Sequence, residues 1–312
     1  MVDGRRVIGI VVDATTIAAD LVVDATGRAG RVGGGRRPPA EGGDSGTVGM
    51  SRTYRLLPGA GLGPVNAPPG FAASYDGYAL IVFAHDGGTF SPLIVRRKQD
   101  RDLATLHHTE GFEAVMRANP ISAAWTDRSR AEPISPVQVA GNLFNSYRGQ
   151  PRGMTGLLSV GDSVCTTNPI GGRGASLAIA SALAMTDIVA SRVEDPDSWA
   201  PELDDWCAEH IRPWFVDAVL NDQVLAGRWA GEPLDLSGPI APDLVMTAAQ
   251  ADPSIMAAVA PYNAMLSTSA CLDPVRERAR EILASGWRPP MPHGPTRTEL
   301  LAAIRSELAL SA

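Results

Sequence analysis

The segment Gly156–Ala178, GLLSVGDSVCTTNPIGGRGASLA, carries most of the information about the fold of this chain. A short apolar run ends at Gly161-Asp162, a pattern typical of a buried strand with a carboxylate at its carboxyl end. Ligands of α/β sheets bind at such strand ends. We therefore expect Asp162 to accept hydrogen bonds from ligand hydroxyls.

The residues after this strand predict a ligand-facing turn and a helix start. Pro169 stiffens the turn, and the glycines that follow let the main chain approach a ligand closely. These glycines are Gly171, Gly172 and Gly174. A helix is predicted from about Ala175 to Val189, and the start of a helix favours negative charge on a nearby ligand.

This arrangement resembles the GD motif and the NPxxGxG helix of FAD-dependent hydroxylases, halogenases and related reductases, the class A flavoprotein monooxygenases. The matching residues are Gly161, Asp162, Asn168, Pro169, Gly172 and Gly174. The resemblance implies that Asp162 binds the ribitol hydroxyls of FAD. It also implies that Gly172, Arg173 and Gly174 lie near the flavin ring. An ordinary strand–turn–helix connection is the alternative for a single motif of this length.

A second segment supports the same resemblance. Two apolar runs, 6–12 and 17–23, flank the polar turn Asp13–Thr16 and predict a hairpin whose second strand is covered on both faces. The residues that follow it, Asp24, Ala25, Thr26, Gly27 and Arg28, are similar to the DATGR signature of the same proteins. The resemblance implies that this strand end and its glycine approach the dinucleotide part of FAD. Alone, the segment is equally compatible with a structural turn.

The remaining patterns predict an α/β (α+β) fold in four segments, and the resemblance implies which of them bind FAD and substrate. Residues 1–50 and 149–192 are expected to form an incomplete Rossmann-like FAD-binding domain, with no regular structure between residues 28 and 49. Residues 51–148 are expected to form an inserted antiparallel β-sheet substrate domain, with a hairpin turn at 86–88 and a helix over 109–118 that Pro120 ends. Residues 193–312 are expected to form a helical C-terminal region.

Several helix starts are signalled by capping residues. Asp195-Pro196, Asp252-Pro253 and Asp273-Pro274 each place an acceptor before a first-turn proline. Thr296 and Glu299 form a predicted capping box before the last helix. The apolar stretch 175–190 contains Ser176, Ser181, Thr186 and Asp187, which favours a buried helix over a membrane span.

The family's fingerprint for the ADP half of FAD has no counterpart in this sequence. No apolar run followed by GxGxxG occurs, and Gly33-Gly34-Gly35 follows a loop and opens no apolar helix. We therefore expect the pyrophosphate site to be absent from this chain, as in a truncated family member. The resemblance implies that an intact relative is a monooxygenase: NAD(P)H reduces its flavin, oxygen adds to the flavin ring, and one oxygen atom passes to a small organic substrate. The alternatives are a non-catalytic remnant and one part of a split flavoenzyme whose ADP-binding segment lies in another chain.

Composition and isolated motifs exclude other classes of function. The formal charge of −7 and the pI of 5.3 argue against nucleic acid and anionic membranes as partners. The dispersed cysteines and the adjacent His107 and His108 predict no metal site. Lys98 does not match the lysine of flavin halogenases, and the WxWxIP segment is absent, so halogenation is a minor alternative. The acidic start predicts a cytoplasmic protein, and no catalytic residue is identified.

Overall fold

A computed structural model describes residues 1–30, 32, 36–67, 70–141 and 143–310. Its helices are α1 Thr109–Ala118, α2 Pro120–Thr126, α3 Gly174–Ser191, α4 Trp199–His210, α5 Arg212–Trp229, α6 Pro242–Ala248, α7 Met256–Asn263, α8 Asp273–Ala284 and α9 Arg297–Leu310. Its strands are β1 Val2–Asp3, β2 Arg6–Val7, β3 Gly9–Val12, β4 Thr15–Ala18, β5 Val22–Asp24, β6 Glu41–Asp44, β7 Thr47–Ser51, β8 Tyr54–Leu56, β9 Gly70–Ser74, β10 Tyr78–Ala84, β11 Thr89–Arg97, β12 Ala131–Pro133, β13 Gln138–Ala140, β14 Phe144–Tyr147, β15 Leu157–Ser159 and β16 Cys165–Thr166.

The chain divides into two compact units. The first comprises Met1–Ser45, Phe144–Gln223 and Leu236–Trp287, and the second comprises Gly46–Leu143, Val224–Asp235 and Arg288–Ala312. Helical residues after position 193 contribute to both units, whereas the sequence predicted a C-terminal region of its own. The α/β fold class that the sequence predicted is confirmed.

The second unit is built on a seven-stranded antiparallel sheet. Its strands follow the order β12-β8-β11-β10-β9, and β7 pairs with both β11 and β13. The predicted hairpin is confirmed: β10 and β11 pair in register from Tyr78↔Arg96 to Ala84↔Phe90, around the glycine turn at 86–88. Alternate side chains of the sheet pack with α1 and α9 around a core that includes Phe112 and Leu300.

The predicted helix over Thr109–Ala118 is confirmed. Pro120 does more than end it, because Pro120 is the first residue of α2 and the Asn119 side chain accepts a hydrogen bond from the main-chain N–H of Ile121. A first-turn proline suits a helix start, where its missing N–H would have no intrahelical partner.

Two predicted helix starts hold and two do not. The capping box is confirmed, because the Glu299 carboxylate accepts from the Thr296 N–H at 2.8 Å while Thr296 Oγ1 accepts from the Glu299 N–H at 3.3 Å. Asp252 caps the turn that leads into α7. Asp273, however, lies inside the first turn of α8, and Asp195 begins a turn that precedes α4.

The first unit joins its parts through a parallel strand pair. Val22 of β5 pairs with Leu157 of β15, and Asp24 pairs with Ser159. The predicted hairpin at the start of the chain is confirmed for β3 and β4, although its turn is the residue pair Asp13-Ala14, both with positive φ. This is the backbone that a two-residue hairpin turn requires.

Three expectations about the first unit are wrong. Strand β4 is exposed along its whole length and is not covered on both faces. The stretch 28–49 contains β6, which pairs with β14, and the start of β7. The triglycine Gly33–Gly35 lies outside the described residues.

The third wrong expectation concerns α3, which is not a buried helix. Only 17% of it is buried, and Ile179 and Leu183 are 62% and 60% exposed. Among the described residues it is the one helix long and apolar enough to cross a membrane by length and composition, a property that single helices of soluble proteins share.

Candidate functional site

The two sequence motifs meet at one sheet edge. Strands β5 and β15 are parallel, so their carboxyl ends lie side by side, and the Val160 N–H donates to the Asp24 carbonyl at 3.1 Å. The Ser163 hydroxyl lies 3.2 Å from both Asp24 Oδ1 and the Gly27 carbonyl oxygen. The turn after β5 and the turn after β15 are thereby held against each other, as expected for a ligand site at a strand end.

Asp24 is directed into the protein and away from this edge. Its side chain has no exposed surface, and its Oδ1 accepts hydrogen bonds from the main-chain N–H and the hydroxyl of Thr26. The guanidinium of Arg37 lies 3.9 Å from Asp24 Oδ2 and is equally buried. The predicted cofactor contact of Asp24 can therefore be made only by its main chain, whereas Ala25, Thr26 and Arg28 are exposed.

Arg37 is a residue that the sequence reasoning missed. It donates to the carbonyl oxygens of Gly149 and Arg148 at 3.2 and 3.1 Å. Burial lowers the pKa of its guanidinium, the charge of Arg148 lowers it further, and Asp24 and Asp204 raise it. Its Nη1 and Asp24 Oδ2 have no hydrogen-bond partner among the described residues. No apolar pattern surrounds Arg37, so only its charge could have signalled this role.

Asp162, in contrast, is exposed. It belongs to a turn over Gly161–Ser163 that packs on α3, where the Gly161 N–H donates to Ser181 Oγ at 3.0 Å. Gly161 has φ +63°, and a Cβ there would lie 3.3 Å from the Cβ of Ala178. The glycine thus permits the close approach of turn and helix that presents Asp162.

The glycine turn before α3 is open on the side where side chains would stand. A Cβ built on Gly171, Gly172 or Gly174 would meet no atom of the described residues within 4 Å. Gly172 adopts φ +67°, and the Asn168 side chain accepts from the Ile170 N–H at 3.3 Å. The first amides of α3 follow directly, so their partial positive charge lies at the turn.

Arg173 lies in this turn, but its guanidinium is engaged by aromatic rings. It stands 5.0 Å from the ring centre of Trp214 and 4.6 Å from that of Tyr262, and the two rings stack on each other at 5.0 Å. Tyr262 and Ser269 donate to the buried carboxylate of Asp217, whose pKa is raised by burial. The side chain of Arg173 therefore anchors the turn to α5 and α7.

A second anchor of the turn was also missed. Asp222 of α5 accepts from Asn168 Nδ2 at 2.8 Å and from Asn145 Nδ2 at 2.6 Å. Asn145 Oδ1 in turn accepts from the Asn168 N–H at 2.7 Å. Burial raises the pKa of Asp222 to about 6. Sequence spacing does not connect these residues, which belong to β14, the turn and α5.

Cys165, His107 and His108 carry reactive side chains, but their surroundings indicate a structural role. Cys165 is 2% exposed, and burial raises the pKa of its thiol to about 12, which suits a packing role. The imidazoles of His107 and His108 contact each other at 3.8 Å, and no group of three metal-ligating side chains occurs in the described residues.

The site lies in an α/β fold that solved flavin-dependent halogenases share. A triple mutant of the flavin-dependent brominase Bmp2 superposes with a TM-score of 0.55 at 16% identity, over 100% of this chain and 68% of its own. The myxobacterial chondrochloren halogenase CndH gives 0.58 at 13% identity, over 99% and 67%. The flavin-dependent halogenase CmlS gives 0.52 at 15%, over 95% and 51%.

These similarities establish the fold. This chain spans about two thirds of the length of Bmp2 and CndH and about half that of CmlS. No protein-family model matches the sequence, and no curated protein matches it.

Proposed function

We propose that this chain is the flavin-holding part of an FAD-dependent oxidoreductase of the monooxygenase class. The observation that carries the proposal is the meeting of the turns after β5 and β15 at one sheet edge, with an exposed carboxylate, Asp162, beside an open glycine turn. The fold shared with flavin-dependent halogenases supports it.

The residues at this edge fit the ribitol and ring portion of FAD. Asp162 offers a carboxylate, which contacts no hydrogen-bond donor within the described ranges, for ribitol hydroxyls. The absence of side chains at Gly172 and Gly174 leaves room for a planar ring against the main chain. Asp24 does not fit as a ligand through its carboxylate, because that group is buried against Arg37.

Bound FAD, reduced by NAD(P)H, would supply the redox chemistry and the activation of oxygen. The protein's own part is to bind, orient and shield. Asp162 would hold the ribitol, and the first amides of α3 would favour negative charge at the pyrimidine edge by about 0.3–1 kcal/mol. The substrate would be a small organic molecule. That assignment remains a prediction.

A second candidate is a split flavoenzyme, in which another polypeptide holds the ADP half of FAD. The observation that favours it is the exposed apolar surface of the first unit. Val11 and Ile17 of the hairpin are 58% and 49% exposed, Val23 of the parallel pair is 38% exposed, and Ile179 and Leu183 of α3 are about as exposed as Val11. Parallel strands are normally covered on both faces, so a partner chain would find an apolar surface here.

The test is a titration of the purified chain with FAD, FMN and riboflavin, followed by flavin absorbance and fluorescence. Because Asp162 would accept charged hydrogen bonds from ribitol, Asp162→Ala should weaken binding of all three about tenfold or more. Asp205→Asn removes an exposed charge on α4 and should leave affinity unchanged.

The three flavins also separate the two candidates. Similar affinities for FAD and riboflavin mean that this chain does not grip the ADP half, as the split enzyme requires. Much tighter binding of FAD contradicts the split enzyme. The absence of binding by all three flavins contradicts the proposal that this chain holds a flavin.

A further inference from the structure

The carboxylate of Asp222 closes a three-residue ring of hydrogen bonds beside the glycine turn. Its Oδ1 accepts from Asn168 Nδ2 and its Oδ2 accepts from Asn145 Nδ2, at 2.8 and 2.6 Å. Asn145 Oδ1 accepts from the Asn168 N–H at 2.7 Å. Two side-chain donors therefore converge on one side chain, and a carboxylate is the group that can accept from both.

The ring fixes which way the Asn168 amide points. Because Nδ2 is directed at Asp222, Oδ1 is directed at the Ile170 N–H, which donates to it at 3.3 Å. This bond caps the turn over Pro169–Gly171, which Gly172 ends in the left-handed region. If the amide reversed, its NH₂ group would face the Ile170 N–H and the cap would be lost.

We propose that Asp222 is the positioning residue for the flavin-facing turn, holding Asn168 in the orientation that sets the main chain of Pro169–Gly174. The effect of Asp222 on flavin binding rests on the proposed function. The effect of Asp222 on the turn rests only on the hydrogen bonds.

The proposal carries a pH dependence with a definite sign. Burial raises the pKa of Asp222 to about 6; the bonds from Asn145 and Asn168 lower it, and the carboxylate of Asp243 on α6 raises it. A carboxyl group with a raised pKa takes up its proton as the pH falls through about 6. Protonation places a hydrogen on one of the two accepting oxygens, so one asparagine loses its acceptor. For a local opening in which Asp222 stays buried, the bonds from Asn145 and Asn168 are what lower its pKa, so protonation favours their loss and the turn should loosen as the pH falls through about 6. Global unfolding exposes Asp222, and there the raised pKa has the opposite sign, so this group does not lower the free energy of unfolding over the same pH range.

Hydrogen exchange measured by mass spectrometry on peptides covering 165–176 tests the positioning directly. Asp222→Asn should raise the exchange rate at Ile170, Gly171 and Gly172 about tenfold or more, because its NH₂ group opposes one of the two donors. In the unaltered protein, protection corrected for intrinsic rates should fall between pH 7.5 and pH 5. Asp205→Asn is the matched control and should change neither.

A double variant separates positioning from general destabilisation. Exchanging the two groups, Asn168→Asp with Asp222→Asn, keeps the net charge and restores the bonds described above among positions 145, 168, 170 and 222. Asp at 168 then accepts from the Ile170 N–H and from Asn at 222, which itself accepts from Asn145. Recovery of protection in the exchanged pair supports the proposal. Two results would overturn it. One is that Asp222→Asn keeps the protection of the unaltered protein. The other is that the exchanged pair is folded, as judged by circular dichroism, but its turn stays unprotected.

Flavin titration of the same variants links the turn to the proposed function. If the unaltered chain binds flavin, Asp222→Asn should weaken binding about tenfold, and the exchanged pair should regain affinity. Equal flavin affinity in all three would overturn the link between Asp222 and the site. If the unaltered chain binds no flavin, the proposed function fails, while the exchange data still decide whether Asp222 orders the turn.

Discussion

Replacing Arg37 by Met tests whether the turn after β5 is held from inside the protein. The guanidinium lies 3.9 Å from Asp24 Oδ2, and both side chains have no exposed surface. Methionine keeps most of the side-chain length and removes the charge and all the donors. The carboxylate of Asp24 then loses its counter-ion in a buried place.

The structure sets the expected magnitude. Removing one partner of a buried ion pair costs about 3–5 kcal/mol, because the other charge is left uncompensated. Asp24 Oδ1 keeps its bonds from Thr26 and Ser163, and no direct hydrogen bond joins the pair, so we expect the lower end, about 3 kcal/mol. The carbonyls of Arg148 and Gly149 lose their donors as well.

Urea denaturation followed by tryptophan fluorescence measures the free energy of unfolding. Arg212→Met is the matched control, because Arg212 pairs with Glu41 at 2.7 Å while their side chains are 44% and 49% exposed. Such an exposed pair contributes about 0–1 kcal/mol. The double change Asp24→Asn with Arg37→Met should cost less than Arg37→Met alone, since no buried charge remains. A loss below about 1 kcal/mol for Arg37→Met, or one equal to that of the control, would refute the reasoning.

Two further predictions concern the first unit. Burial raises the thiol pKa of Cys165 and Cys207 to about 12. Iodoacetamide at pH 8 should therefore label the partly exposed Cys271 in the native protein and leave both buried thiols unmodified. Mass spectrometry of the digest identifies the labelled sites, and labelling of Cys165 at the rate of Cys271 would contradict its burial. Gly42→Ala should lower the free energy of unfolding by about 1 kcal/mol or more, because Gly42 has φ +104° and an added Cβ would collide with a carbonyl of β14. Gly43→Ala is the control: a Cβ there meets open space, so the same urea titration should show no loss.

The meeting of the two motifs could be predicted from sequence because each follows an apolar run. Parallel strands bring their carboxyl ends to one edge; Asp24 is the last residue of β5, and Asp162 lies in the turn that follows β15. The sequence could not predict that the Asp24 side chain is buried whereas Asp162 is exposed. The buried carboxylate of Asp24 lies 3.9 Å from the guanidinium of Arg37, a residue of a stretch without apolar periodicity. Strand β6 was missed for a related reason: its residues EGGD are all exposed, and it is recognised only by its pairing with β14.

The exposure of helix α3 could not be predicted from its hydropathy. Its apolar composition predicted burial, because transferring such side chains out of water is favourable. Hydropathy predicts that these side chains need to be covered, but it does not say whether the same chain or another one covers them. In the structure one side of α3 packs under the turn that presents Asp162, through Ala178 and Ser181. The other side exposes Ile179 and Leu183. The buried side explains how the site is held, and the exposed side is the surface that a second polypeptide of a split enzyme would cover.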